Sequence, residues 1–430
     1  MIATVIILLM FLLLAAGMPV GFNLITVGTL GIYLIGGTPA VLGVLSSMPR
    51  DSASAYEFLS IPMFLLMAEF VLRSGVADDL FQAAAAWFGR IRGGLGVATA
   101  LAGAGFGAVC GSSTAAAATL SSTSLPAMKK YGYDSSLASG VVAISGTLSM
   151  LIPPSIAMII YALLADVSIA KMLIAGVIPG VIITFTIAVT VYSIAVRNPD
   201  MAPLTAKVSF REKIVSLRLI APMLVLMMAV TGVIYLGVAT PTEASAVGAL
   251  ASGVLYFLRK SRSTSLSQIY EIFSKATRTA CMLGIIILGA HIFTTFFALT
   301  QTTQILIDWI ASLPLNRWMI IIYFIIAILV LGCFMDQMAI LVLTVPVLAP
   351  ILQAMDFDLI WFGVILIITA EVGLVTPPMG LNCFVVSKYA RVPVGTVFRG
   401  TLPHVGAHLV AIIVLVSFPA LVLWLPSHVH

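Results

Sequence analysis

The sequence predicts an all-α polytopic membrane protein built as an inverted repeat, with two re-entrant helical hairpins and several broken helices. Three observations carry that prediction. Of the 430 residues, 61% are hydrophobic and only 9% are charged, with a mean hydropathy of +1.17, whereas a water-soluble chain has about a quarter charged residues. Apolar stretches of bilayer length succeed one another from end to end. Helix breakers recur at one spacing in the two halves of the chain.

The opening segment, 1–17, is uncharged and lacks the basic start of a signal peptide, so it reads as the first span. Further spans are expected at about 20–35, 57–83, 138–163, 169–196, 219–238, 243–258, 281–307, 360–386 and 402–425. Segments 93–128 and 317–350 are apolar but interrupted at their centres by small or polar residues. They read as re-entrant hairpins, because irregular backbone at membrane depth needs protein or a wet cavity to satisfy it. The polar stretches 197–218 and 259–278 suit connecting loops or interfacial helices and are too short to enclose a soluble core.

Basic residues gather between spans, among them Arg90, Arg92, Lys129, Lys130, Arg197, Lys207, Arg211, Arg259, Arg262, Lys275, Lys388 and Arg391. The positive-inside rule puts these connections in the cytoplasm and, with ten spans, both termini outside. Arg50 and Arg317 remain on the outer side. No concentrated basic face in polar surroundings is present, which excludes a nucleic-acid partner. Cys110, Cys281, Cys333 and Cys383 lie in apolar runs without metal-ligand spacing and read as small buried side chains. His404 and His408 have i,i+4 spacing but no third ligand or nearby general base, and His291 is a lone histidine in a span. Nucleotide loops, nucleophile elbows and catalytic triads are absent, so the chain does not read as an enzyme.

The repeat appears at a gapless offset of 224 residues. Pro126 aligns with Pro350, Asp134 with Asp358, Pro153-Pro154 with Pro377-Pro378, Gly176 with Gly400 and Pro179 with Pro403. Equivalent loops differ in charge: Lys129 and Lys130 follow the first hairpin where 351–358 has only acidic charges, and Lys388 and Arg391 stand opposite a stretch whose one charge is Asp166. Inverted repeats with broken helices are a common plan of secondary transporters, which hold substrate and ions near the midplane and alternate access around them. The expected organisation is a first half at 1–196, a connecting or scaffold unit of two spans at 197–280, and a second half at 281–430.

Chemistry-bearing groups concentrate at the interruptions. The first hairpin centre reads Gly107-Ala108-Val109-Cys110-Gly111-Ser112-Ser113-Thr114. Carbonyl and hydroxyl oxygens there can coordinate Na⁺ and helix N-termini can favour an anion, while close packing of small residues is the competing account. The second centre, Gly332-Cys333-Phe334-Met335-Asp336-Gln337, carries a carboxylate that is either an ion ligand or a cap of a broken helix. Pro153-Pro154 and Thr376-Pro377-Pro378 remove amide donors and free carbonyls near the two centres, against a plain kink as the alternative. Pro241 breaks the chain between spans six and seven, and Glu243 beside it is a helix cap or a functional acid. Glu371 and Asn382 lie in the broken ninth span, and Glu69 in span three reads as a structural hydrogen-bonding group.

These stretches resemble a known family. Ile61-Pro62-Met63-Phe64, 106–114, Pro126-Ala127-Met128, Ile152-Pro153-Pro154-Ser155, Ala175-Gly176-Val177-Ile178-Pro179-Gly180, Thr240-Pro241-Thr242-Glu243-Ala244, 332–336 and Thr376-Pro377-Pro378-Met379-Gly380-Leu381 follow one another as in the DctM-like large membrane subunit of tripartite ATP-independent periplasmic (TRAP) transporters, of the ion transporter superfamily. The resemblance covers essentially the whole chain, with Cys110 standing where a small residue such as serine is expected. It implies an elevator-type transporter in the bacterial inner membrane, a small four-span membrane subunit and a periplasmic substrate-binding protein as partners, and organic-acid uptake with Na⁺ as coupling ion and no cofactor. By the same resemblance, Gly111, Ser112, Ser113 and the Pro153-Pro154 break serve one sodium site, and Gly332, Asp336, Thr376 and Pro377 the other. The substrate is expected between the hairpin tips, with Ser113, Thr114, Glu371 and Asn382 as contacts and Pro154, Pro241 and Pro378 as structural breaks. An autonomous Na⁺/carboxylate symporter is the main alternative, and a membrane-embedded enzyme the more distant one.

Overall fold

The computed structural model describes residues 2–205, 208–260 and 265–428, all of it helix and connecting turns. Lys207 and Arg262, counted above with the basic connections, lie outside the described residues. Helix α1 (Ile2–Ala15) turns at Gly17 into α2 (Val20–Ser54), which kinks at Gly37 with φ 62 and ψ −163. That backbone suits glycine, and Pro39 then sits in the first turn of the continuing helix, where its missing amide costs little. The second expected span, ended at Ile35, therefore runs on as helix to Ser54.

The expected span 57–83 is broken. Helix α3 (Ser60–Ser74) stops at Gly75 in the left-handed conformation, and α4 (Val76–Phe88) leaves at 63° with Asp78 and Asp79 in its first turn, where helix N-termini favour acidic groups. The first hairpin follows as α5 (Gly94–Cys110) and α6 (Ser113–Lys130). A Cβ on Gly103 would lie 3.3 Å from Leu120, so the two limbs pack against each other. Helix α7 (Ser135–Gly146) passes through a tight turn, Thr147–Met150, and the proline pair into α8 (Ile156–Ala165). Helices α9 (Ile169–Ala175) and α10 (Val177–Arg197) follow almost end to end.

Helix α11 (Phe210–Met227) continues through a wide turn, Met228–Gly232, into α12 (Val233–Tyr235), and α13 (Pro241–Lys260) leads to α14 (Leu266–Leu299). The 259–278 stretch is thus largely helix. Gln301, also left-handed, starts α15 (Thr302–Ser312), so the expected span 281–307 is interrupted. The second hairpin is α16 (Arg317–Gly332) and α17 (Gln337–Ala354), followed by α18 (Leu359–Gly373), the second proline break, α19 (Leu381–Ala390), α20 (Val394–Ser417) and α21 (Ala420–Leu423).

Among the described residues, six helices are long and apolar enough to cross a bilayer, and the bent α3–α4 pair makes a possible seventh. Helix α13, an expected span, is not one of the six. Its apolar content is diluted by Ser245, Gly248, Ser252 and Gly253, which are buried; a Cβ on Gly248 would meet Met67 of α3 at 2.7 Å. Large apolar side chains such as Leu8, Phe185, Val225, Leu250 and Leu258 are more than half exposed, a surface suited to lipid rather than water.

Element boundaries recur between the halves. Helices α6 and α17 are both 18 residues long, with starts and ends separated by 224 positions. Asp134 and Asp358, at the same separation, cap α7 and α18 through Oδ1, accepting from Leu137 N at 3.1 Å and Trp361 N at 2.9 Å respectively. From α8 to α19 the separation is 225, because Met379-Gly380 occupies the place of Ser155 alone, so the gapless 224-residue register expected from Pro126 to Pro403 does not hold through this stretch. The halves also interlock: α8 packs on α17 and α18, and α19 packs on α6 and α7.

Candidate functional site

At the first hairpin tip, Gly111 adopts φ 58 and Ser112 is extended, so α5 ends and α6 begins within two residues. The Ser112 hydroxyl accepts from Ala115 N at 3.4 Å, capping α6, and lies 3.4 Å from Thr114 Oγ1. Ser113 Oγ donates to Asn382 Oδ1 at 3.3 Å, tying this tip to α19. Gly111 also packs closely: a Cβ there would come within 2.9 Å of Ile156.

The second tip takes four residues, 333–336. Asp336 Oδ1 accepts from Met338 N at 2.9 Å and Ala339 N at 3.3 Å, so the carboxylate caps α17 while remaining exposed. Gly332 lies against α18, where a Cβ would stand 2.8 Å from Ala370 O and 2.9 Å from Gly373 Cα. Its lack of a side chain is required by that approach.

Both proline pairs are joined by cis peptide bonds. In the first break Ser155 caps α8, accepting from Met158 N at 3.4 Å. In the second, Thr376 Oγ1 donates to Val372 O at 2.6 Å, and the Val375 carbonyl accepts from Thr401 Oγ1 at 3.2 Å. Pro153 and Pro154 are buried, whereas Pro377 and Pro378 are exposed.

A cavity of about 280 Å³ collects the two tips. Gly111, Ser112, Ser113 and Thr114 line it from one side, Asp336 and Gln337 from the other, with Met150 and Leu374 from the two breaks. A second cavity, of about 450 Å³, shares Ser112 and Thr114 and reaches Glu69, Lys275, Lys388 and Tyr389. A larger groove of about 1010 Å³ is lined by Pro153 and apolar residues such as Phe185 and Met228 and offers no charged group.

Not every expected residue reaches the cavities. Glu371 and Asn382 line neither. Glu371 is buried with neither carboxylate oxygen hydrogen-bonded, and Asn382 is buried with Nδ2 unpartnered. Pro153 faces the apolar groove. Pro241 is the first residue of α13 and begins a helix, and Glu243 Oε2 accepts from Thr240 N at 2.8 Å while Thr240 Oγ1 accepts from Glu243 N, a reciprocal cap.

Other polar groups find partners the sequence did not show. His291 Nδ1 lies 2.9 Å from Ser52 Oγ. Glu69 is ion-paired with Lys275 at 2.8 Å, and Arg73 pairs with Glu271 at 2.9 Å. Of the cysteines expected to be buried, Cys281 is exposed, because it stands on a face of α14 turned away from the packed helices. Lys275, Thr279, Lys388 and Tyr389 were missed as cavity residues. The signal for the first two was the Ser265-x-x-Gln268 cap, which starts α14 at Leu266 and places Lys275 on helix rather than loop.

Long apolar helices, a bent span and two hairpin tips that line one cavity define an all-α polytopic membrane protein. More narrowly, the chain belongs to the family described as tripartite ATP-independent periplasmic transporter, DctM component, which matches residues 7–421. It is a large permease subunit of that family. It is 37% identical over 88% of each chain to the C4-dicarboxylate TRAP transporter large permease protein of Pseudomonas aeruginosa. Identity is 30% over 96% of each chain to the sialic acid TRAP transporter large permease protein of Vibrio cholerae, and 32% over 98% of each to the ectoine/5-hydroxyectoine large permease protein of Ruegeria pomeroyi. The fold is also that of the YdaH transporter of Alcanivorax borkumensis, with a TM-score of 0.68 at 12% identity, covering 93% of this chain and 96% of that one.

Proposed function

We propose that this chain is the permease of a sodium-coupled uptake system for a small organic acid, a carboxylate, delivered by a periplasmic binding protein. The observation that carries the reading is the cavity where Ser112, Ser113 and Thr114 of one tip face Asp336 and Gln337 of the other. Helix starts, hydroxyls and one carboxylate meet there, a donor and acceptor set suited to both a dehydrated Na⁺ and a carboxylate. Gly111, Ser112, Ser113 and the Pro153-Pro154 break serve one sodium site through backbone and hydroxyl oxygens, and Asp336, Thr376, Gly332 and Pro377 the other. Substrate lies between the tips against Ser113 and Thr114. Glu371 and Asn382 act from behind Ser113.

The shared helix boundaries and interlocked packing support a duplicated, inverted architecture with halves at 1–196 and 281–430 about a 197–280 connector. In that arrangement the hairpins move together, elevator-fashion, across the bacterial inner membrane, with both termini periplasmic and a small four-span subunit beside the permease. Relatives named for C4-dicarboxylates and sialic acid support an acidic substrate.

The test is uptake of labelled organic acids into proteoliposomes containing this chain and its small subunit, with and without the binding protein and an inward Na⁺ gradient. Uptake requiring both additions is expected. Uptake without the binding protein would replace this reading with an autonomous symporter.

A further inference from the structure

The 450 Å³ cavity holds charges that the tip chemistry does not use. It runs from Ser112 and Thr114 to Lys275 on α14 and to Lys388 and Tyr389 on α19, with Glu69 of α3 in its wall. Glu69 Oε1 lies 2.8 Å from Lys275 Nζ, with the carboxylate side chain 10% exposed and the ammonium side chain 54% exposed. Lys275 therefore keeps N–H donors free to face the opening, since an ammonium has three. Lys388 is exposed and makes no ion pair among the described residues. One carboxylate against two ammonium groups leaves the cavity's lysine end positive, a field that attracts anions there.

We infer that Lys275 and Lys388 form a second carboxylate-binding site, between the hairpin tip and the basic face of the protein, that holds the organic anion as it leaves the tips. The site deepens the function proposed above and rests on it. An anion bound there bridges two bodies: α14, packed on α2 and α3, and α19, packed on α6 and α7. Lys275 and Lys388 belong to the 259–278 and 388–399 segments, whose positive charge marks the cytoplasmic side. The cavity is thus the inward exit. Glu69 competes with the anion for Lys275, so the same ion pair that fixes the lysine limits how tightly the anion is held and lets it go.

The experiment uses the complete system in proteoliposomes, with labelled organic-acid uptake inhibited from the interior by succinate, its monoamide or its uncharged diamide. Succinate is expected to inhibit best and the diamide least. Lys388→Gln should raise the half-inhibiting succinate concentration about tenfold, and so should the paired variant Glu69→Gln/Lys275→Gln, which avoids leaving one buried partner unpaired. Lys388→Arg should restore the wild-type value, and Glu69→Gln alone should lower it. Diamide inhibition should not change in any variant. Equal inhibition by succinate and the diamide in the active wild type, or wild-type succinate values in both lysine-deficient variants, would overturn the site alone. Absence of Na⁺-driven anion uptake by the wild-type system would overturn the functional reading and this site with it.

Discussion

Asp336→Asn separates the two roles open to the second tip. The carboxylate spends Oδ1 on two backbone amides, Met338 N at 2.9 Å and Ala339 N at 3.3 Å. Asparagine caps a helix about as well as aspartate, so the amide variant keeps this function and removes only the charge. Asp336→Ala removes both, at a cost of about 0.5–2 kcal/mol for the lost cap. A unit charge about 4 Å from a cation is worth about 1 kcal/mol in water and about 4 kcal/mol at an effective dielectric constant of 20. Because Asp336 is exposed, the lower part of that range applies, about 1–2 kcal/mol, or roughly a 5- to 30-fold rise in the Na⁺ concentration for half-maximal uptake. Thermal melting of the purified chain and Na⁺ titration of proteoliposome uptake read the two effects separately. Asp336→Asn should melt like the wild type yet require more Na⁺. A wild-type Na⁺ requirement in Asp336→Asn, with Asp336→Ala melting early, would show that the carboxylate is a cap and nothing more.

Three further outcomes are expected. Gly400→Ala should destabilise the chain by about 1–3 kcal/mol, because the new methyl collides with the Ser136 carbonyl and the Gly140 backbone; melting checks it, and an unshifted transition would refute the close α7–α20 contact. Gly111→Ala should cost about 1–2 kcal/mol through its positive φ and reduce uptake by moving the tip against Ile156, which expression-matched uptake and melting together would reveal. Thr240→Ala should lower stability by about 0.5–2 kcal/mol and leave the Na⁺ requirement unchanged, since Thr240 and Glu243 form a cap that lines neither cavity.

The interruptions were legible because their physics is local. Gly-Ser-Ser, the lone Asp336 and two proline pairs cannot continue a helix in lipid without a special arrangement, and the chain breaks at each of them. The bend at Gln301 was not legible, because it needs an αL glutamine that propensity disfavours, whereas the one at Gly75 carried a signal the span assignment passed over: Arg73-Ser74-Gly75 ends a helix and Asp78-Asp79 begins one. Whether the polar 259–278 stretch is loop or helix was left open for a different reason. Composition alone makes 259–278 polar, but Ser265 and Gln268 cap each other's backbone and start the helix that takes in 266–278. The pairing of Glu69 with Lys275 joins positions 206 apart in sequence, and no local pattern specifies it. The same holds for Lys388 entering a cavity that begins at Ser112.

The two tips are alike in backbone role and unlike in charge. Ser112 and Asp336 stand 224 positions apart, and each caps the second limb of its hairpin. An α-helix carries about half a positive charge at its N-terminus. A neutral hydroxyl leaves that charge uncompensated at α6, whereas the Asp336 carboxylate more than cancels it at α17. The shared cavity is therefore polarised, with its carboxylate at the second tip and only neutral groups at the first. Lys275 and Lys388 lie in the cavity continuous with Ser112 and Thr114, not beside Asp336. On the function proposed above, a sodium ion at the first tip would then be held by neutral oxygens alone and one at the second by a carboxylate, which leaves the first tip the better end of the cavity for a substrate anion.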